Sequence, residues 1–200
     1  MKAIILTCLF TFTIHAQQFI SNGNNALKLS ELVKSKGLKT DEDKAFYFTS
    51  LFHAGKFTEA VKLYPLLKTK SKAVSMLYVR AQISLKEFKL AYATLENLSK
   101  AGPDINIDLL KVKCLLETRA NEKYAEKILA VILKVEPDNP EALLYDSRIK
   151  FAQAKYEEAK FSAKKVLEHS GRNTLLARKA VTTILGIEYK QNLLKKEMKK

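Results

Sequence analysis

The chain has 200 residues, room for one ordinary domain or one short repeat array, and its 47 % apolar and 28 % charged residues exclude a disordered chain. Six glycines, four prolines and no alternating β-branched runs point away from sheet and toward an all-helical protein. The net charge of +14 is nearly all lysine spread along the chain, which suits nucleic acid, anionic lipid or an acidic protein, or simply a solvated lysine-rich face.

The first segment has the make-up of a secretory signal. Lys2 precedes an uncharged apolar run, Ala3 to Ile14, and Ala16 stands before Gln17 and Gln18. The run is shorter than the roughly 20 apolar residues of a membrane span. We expect cleavage after Ala16 and export, to the periplasm or the envelope. An uncleaved anchor and a lipoprotein signal at Cys8 are the alternatives. Thr7 stands before Cys8 where a small Gly or Ala would be usual. Cleavage removes Lys2, taking the charge from +14 to +13, and leaves Cys114 alone, without a partner for an internal disulfide. Cys114 sits in an apolar stretch, Leu109 to Leu116, and reads as a small buried hydrophobe. Export disfavours nucleic acid as a partner.

We divide the chain into a signal peptide (1–16), a polar lead-in and short helix (17–38), about four helix pairs (39–171) and a capping helix with a basic tail (172–200). Leu27, Leu29, Leu32 and Val33 suggest the short helix, ended by Gly37. Thr40 is a helix cap before Asp41, Glu42 and Asp43, which favour the positive end of a helix dipole. The pairs are predicted at about 41–53 with 56–68, 71–85 with 87–99, 105–118 with 122–135, and 140–153 with 156–168. Turns fall at Ala54-Gly55, Gly102-Pro103, Pro137-Asp138-Asn139 and Gly171, the last suited to a left-handed helix end. Asn139-Pro140 is a cap followed by proline at the first helical position. Pro65 should kink or end the helix around it. The last helix, 174–189, has an apolar face of Leu175, Leu176, Ala180, Ile184 and Leu185. It then turns into a tail with Lys190, Lys195, Lys196, Lys199 and Lys200. A basic outer surface suits the end of a stacked array, where nothing packs beyond.

A ladder of alanines runs through the pairs: Ala60, Ala91, Ala125 and Ala159. The last three are 34 residues apart, and the first two 31. Tyr64, Leu95, Leu129 and Ala163 come four residues later, and Pro103 and Pro137 stand twelve after Ala91 and Ala125. Such a period marks stacked helical units. With Gly55-Lys56-Phe57-Thr58-Glu59-Ala60, Phe88-Lys89-Leu90-Ala91 and Ala154-Lys155-Tyr156-Glu157-Glu158-Ala159, the chain resembles the tetratricopeptide repeat family from about Asp41 to Gly171. The alternative is a plain helical bundle with coincidental small residues. The alanine fits where two helices cross most closely. The family's Leu-Gly pair in the first helices is missing, with Val112-Lys113 and Asp146-Ser147 in its place. The resemblance implies an all-α fold, with antiparallel helix pairs stacked into a right-handed superhelix and a C-terminal capping helix.

No catalytic pattern stands out. His53 and His169 lie far apart at helix ends, without metal-ligand spacing to a carboxylate or cysteine, and no phosphate-cradling glycine loop or Gly-x-Ser-x-Gly occurs. Asp146 interrupts an apolar helix side and is expected to pair with Arg148 or a lysine, or to line a groove. We expect neither an enzyme nor a cofactor or metal. The resemblance implies a concave groove lined by the first helices, which places Arg80, Cys114 and Arg148 at equivalent positions with Met76, Leu110, Leu144 and Phe151 nearby; the alternative is that Leu110 and Leu144 are merely core. Arginines among apolar neighbours suit an extended peptide. The carboxylate-clamp set of the family is missing, so chaperone-tail binding is not implied. The expected function is a non-catalytic interaction scaffold of the envelope holding a protein or peptide partner in the groove. The alternative is a structural subunit whose basic face docks on anionic lipid or polysaccharide.

Overall fold

The structure, a computed structural model, describes Glu31 and residues 37–171 and 174–197. The expected signal peptide, the polar lead-in, Leu27, Leu29, Leu32, Val33, Lys199 and Lys200 lie outside the described residues. Among the described residues there is no strand. The helices are α1 (Asp41–His53), α2 (Phe57–Leu63) with a 3₁₀ turn (Tyr64–Leu66), α3 (Lys72–Ser84), α4 (Phe88–Ser99), α5 (Ile105–Thr118), α6 (Glu122–Val135), α7 (Pro140–Ala152), α8 (Tyr156–His169) and α9 (Leu175–Glu197). They form two compact units, Met1–Thr94 and Leu95–Lys200, with the boundary inside α4.

The helix starts are set by their side chains. Thr40 and Asp43 form a reciprocal capping box: the Asp43 N–H donates to Thr40 Oγ1 at 3.0 Å and the Thr40 N–H to Asp43 Oδ2 at 2.9 Å. Ser71, Asp104, Asn121 and Asn139 cap α3, α5, α6 and α7, with Pro140 opening α7. By contrast α2 and α8 start at Lys56 and Lys155 with no side-chain cap. They begin straight out of a left-handed turn.

That turn recurs and sets the register. Gly55 (φ 74°), Lys86 (φ 63°) and Ala154 (φ 60°) each stand five residues before a ladder alanine. Each closes the preceding helix with the paired bonds of a Schellman motif, as in Lys155 N–H to Lys150 C=O at 2.9 Å and Ala154 N–H to Phe151 C=O at 3.1 Å. In the third pair the left-handed residue is Arg119 (φ 51°), six before Ala125. This turn is one residue longer, and Asn121 supplies the extra cap.

All four ladder alanines are fully buried. So are the residues seven before each left-handed position: Phe48, Val79, Val112 and Ser147. These are the crossing points within the pairs. In the last pair the Ser147 hydroxyl donates to the carbonyl of Ala159 itself at 2.7 Å, which requires α7 and α8 to approach at that residue. A serine thus fills the place where the family pattern has glycine.

The first unit has a core of Tyr47, Phe48, Leu51, Ala60, Leu63 and Leu67. Pro65 ends α2 after Leu63, shortening it relative to the predicted 56–68. Asp41, in the first turn of α1, then accepts the backbone N–H groups of Lys68 and Thr69 at 2.8 and 2.6 Å. Those bonds hold its carboxyl below the usual carboxylate range. Tyr64 stacks on Tyr78 with centroids 3.8 Å apart and bonds Ser75 Oγ at 2.8 Å.

In the second unit, Leu143 and Leu144 of α7, Val166 of α8 and Ala180 of α9 share a core. Two expectations fail here. Gly171 does not adopt the left-handed conformation, because the C-cap residue before it, Ser170, is already extended (φ −105°, ψ 135°). And α9 does not give way to a tail after Tyr189 but continues to Glu197. Lys160 pairs with Glu188 at 2.6 Å and Gln191 donates to Glu157 at 2.7 Å, tying the later turns of α9 to α8. Of its predicted apolar face, Ala180 is buried and Leu176 packs on the core, but Leu175 and Leu185 are exposed, at 61 % and 60 %.

Candidate functional site

An open cavity of about 680 Å³ lies within the second unit, bounded by α5, α7 and α9. Its α7 wall is Leu144, Tyr145, Arg148 and Phe151, and α5 contributes Glu117. The α9 wall carries Leu175, Arg178, Lys179, Thr182, Thr183 and Gly186. Helical spacing explains each wall. Leu144, Arg148 and Phe151 are four and three residues apart on one face of α7. Arg178, Thr182 and Gly186 repeat every four residues along α9.

The α7 wall is fixed from behind. The Tyr145 hydroxyl donates to Glu141 Oε1 at 2.7 Å, and burial together with that carboxylate pushes the phenol far up. Phe151 packs at a tilt on Tyr156, centroids 5.9 Å apart. The Arg148 guanidinium bonds Glu117 Oε1 at 3.1 Å, bridging α7 to α5. On the α9 wall, Thr182 and Thr183 donate their hydroxyl protons to the carbonyls of Arg178 and Lys179, both at 3.0 Å.

Of the residues expected in a groove, the cavity brings together Leu144, Arg148 and Phe151. Leu110 is half-buried on α5 and does not line it. Met76 and Arg80 belong to α3 in the first unit, the former half-buried and the latter exposed. Cys114 needs correction as a groove residue. It is 1 % exposed, and burial pushes its thiol up to about 11, so it is packing and offers no surface. The cause is the extra residue in the third turn. Counted back from the left-handed residue, the equivalent of Arg80 and Arg148 is Lys113, and Cys114 is rotated about 100° inward.

Asp146 pairs with a lysine, as one of the expected arrangements had it. Lys150 Nζ lies 2.8 Å from its Oδ2, which also accepts the Ser162 hydroxyl at 2.6 Å. That set braces α7 against α8 and leaves Arg148 free of Asp146. His169 stands 3.4 Å from Asp138 at the end of α8, and burial lowers the His53 imidazole. Among the described residues no group of three His, Cys, Asp or Glu could hold a metal ion. No described helix is long and apolar enough to cross a membrane.

Sequence reasoning missed the α9 wall. Arg178, Lys179, Thr182 and Thr183 fall outside the repeat period. The readable signal was Gly186, a glycine in the interior of a 23-residue helix.

No family model and no curated protein matches the chain. Solved structures do. The MamA RS-1 ArsTM double mutant superposes with a TM-score of 0.65 at 16 % identity, covering 80 % of this chain and 92 % of that one. YrrB, a TPR protein with an unusual peptide-binding site, gives 0.53 at 16 % identity over 86 % of this chain and 97 % of its own. The TPR domain of P58(IPK) gives 0.50 at 18 % identity. It matches 94 % of this chain, which spans 56 % of that one.

The fold is the tetratricopeptide repeat fold.

Within that repeat fold the alanine ladder and left-handed turns are its scaffold.

Proposed function

We propose that the protein is a non-catalytic interaction adaptor that holds a protein or peptide partner in the α5–α7–α9 groove, and that it works in the cell envelope after export. The observation that carries the groove reading is its lining: Phe151 and Leu175 give apolar surface over the buried Leu144 and Tyr145, and a few polar groups converge on it, in a space of about 680 Å³. Ligand sites typically combine these features at roughly 300–1,000 Å³. The similarity to YrrB, whose peptide-binding site is part of its description, supports a peptide or protein as occupant. The export reading rests on Lys2, the apolar run to Ile14 and Ala16.

A photoreactive residue placed at Thr183 should crosslink a discrete partner in the native cell, while one at Lys127, exposed on α6, should not. Equal crosslinking from both positions would sink the groove reading. N-terminal sequencing of the mature protein should begin at Gln17, and a start at Met1 or Cys8 would overturn the proposed processing. The alternative, a basic face on anionic lipid or polysaccharide, is separated by salt. Such a contact should weaken steeply between low and physiological ionic strength, and a groove contact little.

A further inference from the structure

The groove has a charge imbalance. Arg148, Arg178 and Lys179 line it against one acid, Glu117, which Arg148 already engages at 3.1 Å. Arg178 and Lys179 are exposed on α9 and make no ion pair among the described residues. The cavity therefore carries more positive than negative lining, which favours an occupant with negative charge. The planar fork of Arg178 suits a carboxylate.

The hydroxyls of the same wall add a second requirement. Thr182 and Thr183 have committed their protons to helix carbonyls, so what they can offer an occupant is acceptor lone pairs. Peptide N–H groups match that demand. Gly186 adds a third. A glycine inside a helix costs roughly 0.5–1 kcal/mol relative to alanine, yet a Cβ built there meets nothing within 4 Å. No packing contact explains the glycine. Its effect is to leave the groove wide at that turn.

Resting on the groove reading above, we infer that the occupant is an acidic segment of a partner protein. One of its carboxylates docks on Arg178 and Lys179, and a neighbouring bulky apolar side chain packs on the half-buried Phe151 and the exposed Leu175. Selectivity then lies on α9, outside the helix pairs.

Selection of random displayed heptapeptides on the mature protein tests this. The expected result is enrichment of Asp or Glu next to Leu or Phe. Arg178→Glu with Lys179→Glu should weaken the selected peptides by roughly tenfold or more, the scale of a lost charge-assisted contact. Gly186→Leu should abolish their binding by filling the groove. Both changes are at positions with open space, and a thermal melt checks that each variant folds. Thr183→Leu fills the same space if Gly186→Leu melts early. Peptides that enrich without acidic residues, yet are lost on Gly186→Leu, would overturn the acidic inference and leave the groove standing. Enriched peptides indifferent to Gly186→Leu and Thr183→Leu, or no enrichment at all, would overturn both. Charge-reversal-sensitive binding to phosphatidylglycerol vesicles without peptide enrichment would overturn the inference in favour of lipid.

Discussion

The first and last helix pairs share a scaffold and differ in how it is closed. Both turn through a left-handed residue five positions before a buried alanine, Gly55 before Ala60 and Ala154 before Ala159. In the first pair Pro65 stops α2 after Leu63, and Asp41 captures the chain as it leaves. In the last, α8 runs a full 14 residues and α9 lies against it. The shorter second helix accounts for the 31-residue first step of the ladder where the later steps are 34. The turn and the alanine therefore define a unit of this fold. The length of the second helix and the segment after it vary, and one wall of the groove, α9, is built from that variable part.

The largest effect expected is at the crossing of α7 and α8. Ala159→Leu should overpack α7 against α8 and break the Ser147 bond to the Ala159 carbonyl, costing roughly 1–3 kcal/mol. Ala125→Leu should cost a similar amount, about 1–3 kcal/mol. Unchanged melting points for both would show that the alanines are not the crossing points. Ser147→Ala keeps the space and removes only the bond, for about 0.5–1.5 kcal/mol. The equivalent Val79 makes its crossing without a hydroxyl, so Val79→Ala should act through lost packing alone.

The turns sharpen the comparison in the opposite sense. Ala154 carries a side chain at φ 60° where Gly55 carries none at φ 74°. Ala154→Gly should raise stability, and Gly55→Ala lower it, each by about 0.5–1 kcal/mol. Two losses in urea unfolding would mean the turns are not equivalent.

A smaller contrast is electrostatic. Asp41 and Asp43 both have carboxyls lowered by backbone hydrogen bonds, from Lys68 and Thr69 and from Thr40. A lowered folded pKa means their stabilisation is present above the ordinary carboxylate value and fades as pH falls through the folded one. Asp41→Asn should therefore flatten the acid limb of a stability–pH curve for the first unit. Cys114 is expected to resist thiol reagents at pH 8 in the native state and react on unfolding. Its raised pKa of about 11 means that burial favours the neutral thiol below about pH 9 and that this contribution is lost as pH rises through about 11. Rapid native labelling would contradict its burial.

The repeat fold was legible because one small side chain and one turn recur at fixed offsets, and sterics at a helix crossing enforce both. The site was legible only in part. Leu144, Arg148 and Phe151 obey the period and line the cavity. Cys114 was misplaced because one extra residue in the Arg119 turn is invisible to a count of 34 yet rotates every side chain before it on α5. Arg178, Lys179 and Thr182 were missed because a terminal helix has no repeat to compare with, and its mixed surface conceals which face is covered. Leu175 and Leu185 show this most clearly, since apolar character alone assigned them to the buried side.

The most direct test of the central claim is hydrogen exchange of the mature protein with and without a bound partner. The account predicts slowed exchange confined to α7 around Leu144–Phe151 and α9 around Arg178–Gly186. Slowing on α6 and α8 instead, with those two segments unchanged, would contradict it.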